Sequence, residues 1–261
     1  MKDKFETLAR ALADAWHSCS AIALPPADAA PASRADAFAI QDRMAEIIGD
    51  RCAGWKVGAA VRAVQVLEGH DGPITGRLLA PRMFTSPAEV SGAMFDGYKI
   101  ECEFAFRFAR AVPVRDRPWT RDELVPGLAL VPGLEIAGTR YAVGEGGRKF
   151  TTHDAIADNG TGGAYVAGAD VALWRTVDFE NMRIEARIDG GELIHTYTGE
   201  FRRDPVDILV ETVNGLAKRG IGLGAGDILS TGSLTQPTPL RKGQTYVADF
   251  GGLQTLSVSM G

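Results

Sequence analysis

The chain has 261 residues, 45% of them hydrophobic and 23% charged, proportions that exclude wholesale disorder and a fibrous repeat. Its formal charge of −5, from 28 basic and 33 acidic residues, offers no basic excess that would recommend nucleic acid as a partner. No run approaches the roughly 18 apolar residues of a membrane span, so no membrane partner is expected.

Phe5, Leu8, Ala9, Leu12 and Trp16 recur at helical spacing and predict an amphipathic helix over 2–19. Its charges interrupt any signal-peptide core. Cys19, Cys52 and Cys102 form no CxxC pair and point to neither a disulfide framework nor a thiolate zinc site. A reducing cytoplasm is the expected location. A proline-rich loop follows, and a second helix is expected from Ser33, capped with Asp36, to Gly49. After Gly54 the chain changes to short apolar segments divided by turn residues.

Residues 99–108 alternate, with Ile100, Cys102, Phe104, Phe106 and Phe108 on one face and Glu101, Glu103, Ala105 and Arg107 on the other. Thr120 and Glu123 predict a capped helix over 121–130. Residues 182–188 read as a strand that turns at Asp189-Gly190-Gly191 into a partner over 192–198. Asp204 and Pro205 open a further helix bearing Val206, Leu209, Val210, Val213, Leu216 and Ala217, with Gly220 beyond it. The C-terminal segment reads as strands. Strands that outnumber helices without regular alternation indicate an α+β fold.

Motifs for nucleotide, α/β-hydrolase or HExxH zinc chemistry are absent. The carboxylates carry the remaining signal. Glu101 and Glu103 project from one face of a strand, about 7 Å apart. They form either a solvent-facing acidic row or part of a site. Glu135 is the only charge in the apolar stretch LALVPGLEIAG. A carboxylate there needs a proton, a cation or an exit to water. If the three converge, oxygen-only ligation suits Mg²⁺ or Mn²⁺. Lys56 in GWKVGAA is either a snorkelling lysine at a strand edge or an amine on a polar pocket, where desolvation would lower its pKa.

In order, GWKVG (54–58), IECEFAF (100–106), GLEIAGTRY (133–141), DAIADNGTGG (154–163) and GDILSTGSL (226–234) resemble the 2-hydroxypenta-2,4-dienoate (2-keto-4-pentenoate) hydratases and the related 4-oxalocrotonate decarboxylase, within the fumarylacetoacetate hydrolase superfamily. The resemblance runs from about residue 35 to the C-terminus. It implies an N-terminal helical region over 1–53, then a mixed β-roll over 54–261 of the fumarylacetoacetate hydrolase C-terminal-domain type. It also implies a homo-oligomer, open to a complex with a related pathway enzyme.

Carried over by residue, the resemblance makes Glu101, Glu103 and Glu135 the metal ligands and Lys56 the catalytic and substrate-binding lysine. Thr161, Ser233 and Arg140 become substrate-pocket residues, although Arg140 equally suits a structural ion pair. The implied reaction is metal-dependent addition of water to a small 2-hydroxy-2,4-dienoate, or its 2-keto-4-enoate form, giving a 4-hydroxy-2-oxo acid in aromatic meta-cleavage catabolism. Decarboxylation of a 4-oxalocrotonate-type acid, hydrolysis of an acylpyruvate and a non-catalytic partner subunit are the alternatives. The residue that activates water stays open, with His153, Asp154 and Asp158 near the loop. Three stretches depart from the family pattern: Gly58-Ala59-Ala60, which lacks a hydroxyl, DNGTGG, and the glycine-rich YAVGEGGRKFTTH.

Overall fold

The computed structural model describes residues 3–95, 97–142 and 148–261; part of the glycine-rich departure, 143–147, lies outside them. In chain order the elements are α1 (Asp3–Ser18), β1 (Ile22–Ala23), α2 (Arg34–Ile48), β2 (Cys52–Gly58), α3 (Arg62–Glu68), β3 (Ile74–Leu79), β4 (Met83–Thr85), β5 (Ala88–Val90), β6 (Lys99–Phe108) and α4 (Arg121–Leu124). They continue with β7 (Leu128–Ala137), β8 (Tyr141–Ala142), α5 (Thr152–Ala157), β9 (Gly162–Ala167), β10 (Ile184–Ile188), α6 (Pro205–Ala217), β11 (Ile228–Ser233), β12 (Thr238–Pro239), β13 (Thr245–Phe250) and β14 (Thr255–Met260). This is the α+β arrangement of helices followed by a mixed β-roll.

The larger sheet runs β3-β2-β11-β6-β7-β9-β4, with β12 also paired to β6. β11–β2 and β4–β9 are parallel and the other neighbours antiparallel. β3 packs against β9, so the sheet curls. Its inner side is filled by Leu78, Ala105, Val131, Tyr165, Ala167 and Ile228. The alternate residues of β6 and β7, including Phe104, Phe106, Leu130 and Leu134, join a core with α6 and the second sheet, β10-β13-β14-β5. Both faces of β6 are therefore largely covered, and the acidic face is not a solvent-facing row.

Local chemistry sets the helix ends. Ser33 accepts from Asp36 N at 3.1 Å and Gly49 closes α2 in the left-handed region. Asp204 accepts from Val206 N at 2.8 Å, with Pro205 leading α6. α1 and α2 bury Leu8, Leu12, Trp16, Ile40 and Met44 against Ala59, Ile74 and Leu79 of the sheet side and Ala155 and Ile156 of α5. Each such large apolar side chain contributes about 1.5–3 kcal/mol by leaving water.

Two expected elements differ. The helix capped by Thr120 and Glu123 stops at Leu124; a short 3₁₀ turn containing Pro126 follows and β7 begins at Leu128. Pro126 lacks the N–H needed to continue the helix. Strand β10 has its regular ladder with β13, and 192–198 follows its other side without forming a strand. That segment stays outside the regular strands: Ile194 N reaches Ala186 O at 2.9 Å, and Thr196 bridges Thr235. Cys19, Cys52 and Cys102 are all free. Among the described residues no helix is long and apolar enough to cross a membrane.

Candidate active site

The pairing of β6 with β7 places Glu101 opposite Glu135 and Glu103 opposite Gly133. Pairing of β7 with β9 places Tyr165 on the other side of Glu135. Paired residues share a face, so these side chains project together to the inner side of the roll. Gly133 makes room: a Cβ there would lie 2.1 Å from Tyr165 Oη.

Glu101, Glu103 and Glu135 each bring a carboxylate oxygen to within 4.8 Å of the other two. Glu103 and Glu135 are 1% and 0% exposed, and all four of their carboxylate oxygens lack a hydrogen-bond partner. Burial, reinforced by the Glu135 charge, pushes Glu101 up to about 8. The same causes, with the Glu101 charge added, carry Glu103 well above the ordinary carboxylate range. Clustered buried acids without donors require a cation or shared protons.

Lys56 supplies one positive charge. Its Nζ lies 3.1 Å from Glu135 Oε1, in an ion pair without hydrogen-bond alignment, and donates to Gly160 O at 2.9 Å. The sequence expectation that desolvation would lower its pKa is reversed. Burial does pull the ammonium down, but the charges of Glu135, Glu103 and Glu101 outweigh it and hold Lys56 above the usual lysine range.

The donor set also fits a further cation. When ionised, three carboxylates against one ammonium leave a negative excess that a divalent ion would neutralise, and their oxygens are the hard ligands that Mg²⁺ and Mn²⁺ prefer. Neither sulfur nor imidazole belongs to the cluster.

Asn159, Gly160 and Thr161 form the facing loop, all at positive φ (50°, 61° and 58°). The left-handed conformation costs a non-glycine residue about 1–2 kcal/mol, so the surroundings must hold it. Asn159 Oδ1 accepts from Arg77 N at 2.7 Å, and its Nδ2 donates to Arg77 O at 3.0 Å. A Cβ at Gly160 would crowd the backbone at Gly76 N and Thr75, each 3.0 Å away. The pinned loop presents the Gly160 carbonyl to Lys56 and also to Thr161 Oγ1, 2.7 Å away.

Lys56, Glu101, Thr161 and Ser233 line one cavity of about 350 Å³. Ser233 Oγ donates to Thr235 O at 2.5 Å and accepts from Thr235 N at 3.3 Å, and Thr161 donates to Gly160 O, so each hydroxyl keeps at least one lone pair for a ligand. Arg140 does not line this cavity. It is 2% exposed, and its guanidinium pairs with the Asp158 carboxylate while donating to Gly162 O at 2.9 Å and Asp158 O at 2.8 Å. Asp158 and Asp154 are likewise committed, to Arg140 and to Arg148 with Thr151. His153 lies 3.9 Å from Asp71.

The cavity also includes Glu68 and His70, neither of which the sequence reading singled out. Their position between a helix end and an Asp-Gly pair has the appearance of an ordinary polar stop. Their signal was proximity in sequence to the Lys56 strand, which any short helix turned back over that strand would exploit.

No family model matches the chain. Over 224 residues it is 28% identical to a 2-keto-4-pentenoate hydratase of Paraburkholderia xenovorans (strain LB400), covering 84% of this chain and 80% of that protein. It is 26% identical over 213 residues to a 4-oxalocrotonate decarboxylase of Pseudomonas sp., covering 81% and 79%. Among solved structures, the 4-oxalocrotonate decarboxylase of Pseudomonas putida G7 complexed with magnesium and adipate superposes with a TM-score of 0.86 at 21% identity, covering 100% of this chain and 98% of that one. Fumarylpyruvate hydrolase of Pseudomonas aeruginosa, in complex with Mn²⁺ and pyruvate, gives 0.55 at 17% identity, covering 81% and 89%.

Proposed function

We propose that this chain, a member of the group of 2-keto-4-pentenoate hydratases and 4-oxalocrotonate decarboxylases within the fumarylacetoacetate hydrolase superfamily, is a divalent-metal-dependent hydro-lyase. Its substrate is a small 2-hydroxy-2,4-dienoate, and its product a 4-hydroxy-2-oxo acid. The observation that carries the metal is the set of four buried oxygens of Glu103 and Glu135 without hydrogen-bond partners, gathered with Glu101 beside a cavity. In our reading Glu101, Glu103 and Glu135 hold Mg²⁺ or Mn²⁺. When bound, such an ion supplies Lewis-acid stabilisation of negative charge on the substrate's C2 oxygen.

The protein's own groups do the rest. Lys56, anchored by Glu135 and the Gly160 carbonyl, holds a fixed positive charge beside the bound acid and favours its carboxylate. Thr161 and Ser233, with their protons committed internally, accept hydrogen bonds from a substrate hydroxyl or a water. The apolar wall at Ala59, Val64, Ile74 and Phe150 limits water around the reacting chain. Arg140 keeps the Asp158 loop in place and supports the pocket from behind.

Decarboxylation is the second reading, favoured by the 26% identity to a 4-oxalocrotonate decarboxylase. The experiment is to incubate purified chain and Mg²⁺ with 2-hydroxypenta-2,4-dienoate, and separately with a 2-oxo-dioate, following products by NMR. Loss of dienoate absorbance with formation of the 4-hydroxy-2-oxo acid supports the hydratase. Release of CO₂ from the dioate without hydration assigns the chain to the second reading.

A further inference from the structure

Tyr165 on β9 and Ser230 on β11 are each 0% exposed, and neither hydroxyl has a hydrogen-bond partner. Among the described residues the only other buried hydroxyl in that condition is Tyr141 Oη. Buried polar atoms are ordinarily paired, so two unclaimed donors on one face of one sheet call for an acceptor. Glu103, between them, has two unclaimed oxygens.

The register brings the two hydroxyls to Glu103 from opposite sides. Tyr165 leans across β7, so that a Cβ on Gly133, the residue paired with Glu103, would lie 2.1 Å from its Oη. Cβ positions of paired residues are about 5 Å apart, which leaves the phenol within the reach of a glutamate side chain. Ser230 pairs with Ala105, two residues along β6 from Glu103 and on the same face. Neither residue lines the cavity, although Thr231 and Ser233 beside Ser230 do. The two hydroxyls therefore lie behind the carboxylates, out of reach of a substrate.

We infer that Tyr165 and Ser230 are positioning residues whose hydroxyls donate to the ionised Glu103 carboxylate and fix its direction as a metal ligand. The inference rests on the metal site proposed above and adds the groups that aim it. A carboxylate has about four lone-pair sites, enough for a cation and two hydroxyl donors. Burial, then the charges of Glu103 and Glu135, push the Tyr165 phenol well above its ordinary range, so it keeps the proton it would donate. Burial and the charges of Glu135 and Glu101 raise Glu103, while Lys56 and the Ser230 hydroxyl act against them.

The test titrates Mn²⁺, followed by electron paramagnetic resonance, into the wild type, Tyr165→Phe and Ser230→Ala, with melting in chelator and near-ultraviolet spectra of the same samples. Each variant should bind Mn²⁺ about tenfold more weakly, the loss typical of a missing outer hydrogen bond to a ligand. Melting in chelator should match or exceed that of the wild type, because each variant loses a hydroxyl that has no partner there. Adding Mg²⁺ should shift the wild type's tyrosine absorption to the red as the phenol donates, and that difference should vanish in Tyr165→Phe. Either variant binding Mn²⁺ within threefold of a wild type that binds overturns the inference while leaving the metal site standing. A loss of affinity matched by lower melting in chelator overturns it too, since that is a packing defect. A wild type that binds no Mn²⁺ overturns both.

Discussion

Lys56 Nζ and Glu135 Oε1 stand 3.1 Å apart with their side chains 3% and 1% exposed. Removing one partner of such a pair leaves a buried charge and costs about 3–5 kcal/mol. Lys56→Met should therefore melt early in chelator. Added Mg²⁺ should recover much of the loss by neutralising the carboxylates, while kcat stays on the order of 10²-fold low. Thermal melts with and without Mg²⁺, beside steady-state assays, measure this. Melting that Mg²⁺ does not raise would mean that the ion does not share this charge cluster.

Arg140 is buried and its donors end on Asp158 and Gly162. Arg140→Met should destabilise the chain by about 3–5 kcal/mol, because Asp158 would be left buried and unpaired. Urea denaturation reads this loss. In the folded fraction KM should remain near wild type. A selective rise in KM at unchanged stability would instead restore the substrate-binding role expected from sequence.

Gly133 faces Tyr165 at a distance that excludes even a methyl group. Gly133→Ala should cost about 1–3 kcal/mol through overpacking, and should weaken metal binding by displacing β7 beneath Glu135. Calorimetry and Mn²⁺ titration of the same sample distinguish these effects. A stable variant with wild-type affinity would show that the contact relaxes freely.

The acid limb of stability should report Asp154. Burial alone would raise its carboxyl, but hydrogen bonds from Arg148 and Thr151 outweigh it and hold the group below the usual range. A depressed folded pKa contributes stability above the unfolded value, about 3.9, and loses it as pH falls through the folded value. Asp154→Asn should thus be less stable than wild type near pH 7, with the gap closing as pH falls below about 3.9. Urea midpoints across that range measure it. A gap that is constant with pH would remove ionisation from the explanation.

The local parts of this structure were legible in the sequence. Ser33, Gly49, Asp204 and Pro205 act through neighbours within one turn, and the alternation of 99–108 needs only its own ten residues. Pairings were not. The glycine turn does bring 194–196 back beside β10, but the regular ladder of β10 is with β13, far along the chain. Glu135 was conspicuous as a lone charge in an apolar run, but its place opposite Glu101 depends on register across β6 and β7. The Lys56 pKa direction was misread for the same reason: desolvation is visible locally, whereas three carboxylates from β6 and β7 are not.

The most direct measurement is Mn²⁺ binding, followed by electron paramagnetic resonance, to the wild type and to Glu101→Gln, Glu103→Gln and Glu135→Gln. The account predicts one saturable ion per wild-type chain, displaced by Mg²⁺, with each substitution weakening binding at least tenfold while the fold persists. Failure of the wild type to bind Mn²⁺, or equal binding by all three variants, would contradict it.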